Sequence, residues 1–107
     1  MFKTNASVNQ IAKEVFEFLS QFITVDHLIL YGSYAYGKPR EDSDIDMAVV
    51  SEDFRKMSIW DKMSLLAGAS VAVDSRIELM GFMPKDYSHP QRGSLLNEIK
   101  AKGKVLI

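Results

Sequence analysis

Apolar residues near the N-terminus recur at helical spacing. Val8, Ile11, Ala12, Val15, Phe16, Leu19 and Phe22 fall on one face, which predicts an amphipathic helix packed on a core. Ahead of them, Ser7-Val8-Asn9-Gln10 has the S-x-x-Q form of a capping box, which would satisfy the free amides of a first helical turn. The run His27-Leu28-Ile29-Leu30-Tyr31 is short, apolar and stopped by Gly32, so it reads as a buried strand. From Gly32 to Ser43 the chain is turn-like, with Gly32, Gly37, Pro39 and several charges. Asp44 to Val50 alternates and predicts a second strand.

A second helix is expected from Ser58, with Asp61 as its cap partner and Ile59, Met63, Leu66 and Ala67 as its buried stripe. Arg76 to Met83 predicts a third strand, ended by Pro84. A short helix carrying Leu95, Leu96 and Ile99 should stop near Gly103, and Val105-Leu106-Ile107 could close the sheet as an edge strand. The order helix, strand, strand, helix, strand, helix, strand predicts an α+β fold: a small mixed sheet with helices packed on one face.

Composition narrows the class. A chain of 107 residues makes one domain, residues 1–107, large enough to bury a core without staples. With 47% hydrophobic and 25% charged residues it is ordinary globular protein. There is no cysteine, which excludes disulfides, thiolate metal sites and cysteine nucleophiles. Thirteen basic against fourteen acidic residues give a net charge of −1, with no strong nucleic-acid signal. No apolar run suits a membrane, and Met1-Phe2-Lys3-Thr4-Asn5 lacks a signal-peptide core, so a soluble cytoplasmic protein is expected.

The chemistry concentrates between Gly32 and Asp46. Gly32-x4-Gly37-Lys38 after a strand suggests a P-loop, but Pro39 stands where that motif needs Ser or Thr. Asp42, Asp44 and Asp46 have the D-x-D-x-D spacing of an EF-hand, but Met47 and Asp53 replace its glycine and its bidentate Glu. A third reading fits better. Residues two apart on a strand point the same way, so Asp44 and Asp46 project together about 6.6 Å apart, with Ile45, Met47 and Val49 facing the helices. Adjacent carboxylates repel, and a hard cation such as magnesium is the natural reason to keep them together. Gly32-Ser33 at a strand end offers backbone amides and a hydroxyl to a triphosphate.

Gly32-Ser33, ten intervening residues and Asp44-Ile45-Asp46 resemble the signature of the DNA polymerase β-like nucleotidyltransferase superfamily. The likeness is strongest to its minimal nucleotidyltransferase (MNT) group and runs over nearly the whole chain, with Asp74-Ser75-Arg76-Ile77-Glu78 as the later block. That resemblance implies the superfamily's core fold and transfer of a nucleoside monophosphate, AMP from ATP, with release of pyrophosphate. It implies Gly32, Ser33 and Ser43 as nucleotide-binding residues. It implies Asp44, Asp46 and Glu78 as catalytic ligands of two Mg2+ ions, with Glu78 taking the acceptor's proton. Two departures stand out: Glu78 occupies a position where many relatives carry Asp, and Tyr34 and Tyr36 replace residues that are commonly basic.

The resemblance also implies a partner. Minimal members pair with a helical HEPN toxin and act as antitoxins by adenylylating one of its tyrosines. These 107 residues leave no room for an acceptor-binding domain, so the acceptor site is expected to be shared with a partner or completed by a homo-oligomer. Two alternatives stay open: a transferase acting on a small molecule such as an aminoglycoside, and a non-catalytic antitoxin that neutralises its toxin by binding. Elsewhere the residues read plainly. Lys38 and Arg40 read as a solvated turn before they read as triphosphate-steering cations. Arg76 shares a face with Glu78, and pairing with it or with a phosphate stays open beside a structural ion pair. His27 and His89 read as structural, Trp60 and the six methionines as core, and Asn5-Ala6-Ser7 as a sequon by pattern only.

Overall fold

The computed structural model describes residues 5–40 and 43–107. The Met1–Thr4 stretch and the Glu41–Asp42 pair of the motif loop lie outside the described residues. Helix α1 (Asn5–Leu19) leads into β1 (His27–Tyr31), a single helical turn α2 (Ser33–Tyr36) and β2 (Ile45–Val50). A 3-10 turn (Glu52–Lys56), α3 (Ile59–Val73), β3 (Ile77–Phe82), α4 (Pro84–Ser88), α5 (Leu95–Lys102) and β4 (Lys104–Val105) follow. The strands form one mixed sheet in the order β3-β2-β1-β4, with β4 as the edge strand foreseen at the C-terminus. β1 runs antiparallel to β2 and to β4, whereas β2 and β3 are parallel. A parallel pair needs a crossover, and α3 supplies it.

Strand alternation sorts the core into two layers. Leu28, Leu30, Ile45, Met47, Val49 and Ile77 face α1 and α3 in the larger cluster. Ile29, Tyr31, Ala48 and Val50 face the other way, against Ile99 of α5 and the partly buried Phe82 and Tyr87. Central strand β2 is buried on both sides except at Asp46, which explains its apolar run from Met47 to Val50. Thus the two long helices share one face, and the short C-terminal helix covers part of the second. Among the described residues no helix is long and apolar enough to cross a membrane.

Several local expectations are corrected. Ser7 lies inside α1, whose described part already begins at Asn5, so it cannot be the first non-helical residue that a capping box requires. Phe22 lies beyond the end of α1, is 62% exposed, and meets only the edge of the stripe, its ring 5.6 Å from that of Phe18. The turn after Gly32 contains α2, closed by hydrogen bonds from the amides of Ala35 and Tyr36 to the Gly32 carbonyl (3.0 and 3.1 Å).

The largest correction concerns α3. Ser58 caps it as expected, its hydroxyl accepting from the Asp61 amide at 3.0 Å. Its buried side, however, is Leu66 and Ala69, helped by Leu65 and Val73, while Ile59 and Met63 are mostly exposed and Ala67 is exposed too. Trp60 is 75% exposed and belongs to no core. This helix is apolar almost all round, so periodicity could not choose which side meets α1 and β3. Met63 and Met80 are likewise surface residues, unlike the fully buried Met47.

Candidate active site

One row of side chains crosses the sheet where β1 ends and β2 and β3 begin. Tyr31 pairs with Asp46 in the antiparallel ladder, and Asp46 pairs with Glu78 in the parallel one. Paired residues on neighbouring strands share a face, so phenol, carboxyl and carboxyl stand side by side on the α5 side of the sheet. Asp44 precedes β2 in the same phase as Asp46 and is exposed.

The row is electrostatically tight. The Asp46 carboxyl is pushed up to about 6, first by burial, then by the charges of Glu78 and Asp44 and by a side-chain hydrogen bond with Glu78. Tyr31 is pushed up to about 12 by burial, by Asp46 and Glu78, and by Tyr36. A phenol at that value stays protonated and can donate to a carboxylate throughout the neutral range. Read from sequence, Tyr31 is only the last apolar residue of a strand. Its register with Asp46 could not be seen without the pairing.

Gly32 closes the row from above. Its φ is 75° and its ψ −154°, a region open to glycine alone. A Cβ built there would run into the Asp46 carboxylate. Glycine is therefore required here twice over, for the backbone angle and for the space. Ser33 begins α2 directly after this glycine. Ser43 closes the returning loop: its hydroxyl accepts from the Arg40 amide at 2.7 Å and its own amide donates to the Arg40 carbonyl at 3.0 Å.

The acids divide as strand register requires. Asp46, Glu78 and Asp44 gather at the row, whereas Asp74 is the residue that ends α3. Its carboxylate accepts from the Arg76 amide at 2.9 Å and lies 3.9 Å from the Arg76 guanidinium. Arg76 thus takes the structural ion pair. His27 approaches the Ile107 carbonyl and the Tyr87 ring, away from the row. Beside Glu78, a groove of about 310 Å3 runs along the free edge of β3, lined by Tyr31, Met63, Ala67, Leu79 and Met80.

The polar atoms at the row are all oxygens, those of the carboxyls and one phenol, which suits a hard cation such as magnesium better than zinc. Among the described residues no three His, Asp or Glu side chains are grouped tightly enough to hold an ion by themselves. Magnesium characteristically completes its shell with water and substrate phosphates, so one or two protein carboxylates fit it.

Comparison with solved structures bears on the fold. A toxin–antitoxin crystal structure with AMP-PNP is similar over 90% of this chain and 72% of its own, at 23% identity and a TM-score of 0.64. A putative nucleotidyltransferase from Sulfolobus solfataricus is similar over 91% and 77%, at 19% identity and a TM-score of 0.65. A mutant of the toxin–antitoxin MntA-HpeT is similar over 92% and 71%, at 22% identity and a TM-score of 0.56. No curated protein matches the sequence at a significant level. The family described as "Polymerase beta, Nucleotidyltransferase" matches residues 13–107, which takes in the Gly32 turn and every acid of the row. The chain belongs to this polymerase beta nucleotidyltransferase family.

Proposed function

We propose that this nucleotidyltransferase transfers AMP from ATP, with magnesium, to a tyrosine of a partner HEPN toxin and so acts as its antitoxin. The observation that carries the reading is the register of Asp46 with Glu78 on parallel strands under the Gly32 turn. A carboxyl raised to about 6 by burial and by the neighbouring Glu78 gains most from a divalent cation bound between the pair and a triphosphate. Two of the similar solved structures are toxin–antitoxin proteins, one of them with AMP-PNP, which supports both the partner class and the nucleotide.

Asp44, Asp46 and Glu78 would hold the magnesium, two ions in this reading. Bound there, magnesium would supply charge neutralisation for an in-line displacement. The chain's own groups do the rest. Gly32 lets the backbone approach the phosphates, Ser33 offers a hydroxyl and an amide, and Ser43 holds the loop that returns to Asp44. The acceptor oxygen forms a bond to the α-phosphorus, the bond from that phosphorus to the bridging oxygen breaks, and pyrophosphate leaves. The acceptor's proton passes to the Glu78 carboxylate. The groove beside Glu78 gives the acceptor its approach.

The test is incubation with α-labelled ATP, magnesium and a candidate HEPN partner protein. Label on a tyrosine of that protein supports the reading. Label on an aminoglycoside instead moves the acceptor to small molecules, and no label with retained toxin neutralisation leaves a binding antitoxin.

A further inference from the structure

A cation stands at the rim of the Gly32 turn that the motif does not contain. Lys102, in the last turn of α5, holds its ammonium 5.9 Å from the centre of the Tyr36 ring, at the end of α2. Tyr36 in turn lies close enough to Tyr31 to act on its phenol, and Tyr31 pairs with Asp46. The sequence Lys102, Tyr36, Tyr31, Asp46 is therefore a path in space from α5 to the carboxylate row, although it joins residues more than 50 positions apart.

The end of α5 is fixed against β1. Gly103 donates its amide to the Ile99 carbonyl at 2.7 Å, and a Cβ there would lie 2.7 Å from Ile29 Cγ2 and 3.1 Å from the Leu30 carbonyl. The next residue, Lys104, pairs with Leu30, two positions before Gly32. Lys102 thus projects from a backbone anchored at the strand that carries the turn. Its contact with Glu98, 3.9 Å with both side chains largely exposed, adds little and leaves the ammonium open to a ligand.

Charge gives the ammonium a purpose. The row carries three acids, and the carbonyl end of α5 adds partial negative charge beside it. Arg76 is engaged with Asp74, and Lys38 and Arg40 belong to an exposed loop. Lys102 is held at the end of α2 by the Tyr36 ring.

We propose that Lys102 is a phosphate-binding residue of the nucleotide site, seated by the Tyr36 ring and donating to the phosphate chain of ATP. The assignment rests on the nucleotide reading given above. It deepens that reading by naming a residue outside the sequence motif.

The neighbouring Lys104 supplies the control. It loses the same charge when mutated but lines a crevice with Val8, Asn9, Leu30 and Leu106 on the α1 side of the sheet. The experiment is calorimetric binding of magnesium ATP, and separately of tripolyphosphate, which has no base or sugar. Lys102→Gln should weaken both by about tenfold, as expected for one lost charge-assisted contact. Lys102→Arg should recover most of the loss, and Lys104→Gln should bind like the wild type. All variants should melt with the wild type. Unchanged ATP binding by Lys102→Gln overturns the proposal, as does a loss seen with ATP but not tripolyphosphate, or an equal loss in Lys104→Gln. A wild-type protein that binds no ATP overturns the nucleotide reading itself, and this one with it.

Discussion

Gly32 and Asp46 occupy one another's space: the Cβ that Gly32 lacks would fall on the Asp46 carboxylate. The turn proposed to meet the phosphates and the acid proposed to meet the metal are therefore one packed unit. Their joint motif spacing has a steric cause as well as a chemical one.

Gly32→Ala tests that unit. The turn alone suggests that binding should fail before folding does. The positive φ of 75° and the collision with Asp46 make both fail together. Urea unfolding should show a loss of about 1–3 kcal/mol, with ATP binding lost in the same variant. An unchanged midpoint would show that the turn can relax without cost.

Asp46 should leave a pH signature. Its carboxyl titrates at about 6 in the folded chain against 3.8 ordinarily. Between those values the native state holds more protons than the unfolded one. The contribution of Asp46 to stability is therefore greatest below pH 3.8, declines as pH rises through 6, and is constant above. Solvent screening at this partly exposed site reduces the effect to on the order of 1 kcal/mol. Wild type minus Asp46→Asn, followed by denaturant melts from pH 4 to 7, should fall by that amount. A flat difference would mean that neither burial nor the neighbouring acids raise the Asp46 carboxyl.

Glu78 and Asp74 should separate cleanly. Glu78→Gln should abolish transfer, keep part of the nucleotide binding and leave stability nearly unchanged. Asp74→Asn should transfer almost normally, losing about 1 kcal/mol as the bond to the Arg76 amide weakens. Single-turnover transfer beside thermal melts reads both, and the reverse ranking would place the third acid at Asp74.

The face of α3 can be checked by truncation. Leu66→Ala should cost about 2–5 kcal/mol as a core cavity. Trp60→Ala should stay within about 0.5 kcal/mol because its ring is in solvent. A large loss at Trp60 would reverse the orientation drawn for this helix.

β1 was legible as an apolar run bounded by Gly32, and β2 and β3 by their two-residue alternation. Ile45, Met47 and Val49 against Asp44 and Asp46 already separated the core face from the acid face. Glu78 was legible for the same reason, since Ile77 and Leu79 fixed its phase. What could not be read depended on packing. α3 offered apolar residues on every side, so Ile59, Met63 and Trp60 looked as buried as Leu66. Tyr31 and Lys102 carry no local signal because their places beside Asp46 and Tyr36 come from sheet register and from the docking of α5.

The most direct measurement of the central claim is transfer of the α-labelled phosphate, with pyrophosphate counted, in wild type, Asp46→Asn, Glu78→Gln and the double variant. Wild type with magnesium should put label on the acceptor and release one pyrophosphate per label. Neither should appear without magnesium or in any variant, although all four proteins remain folded. Undiminished transfer by the folded double variant would contradict that claim.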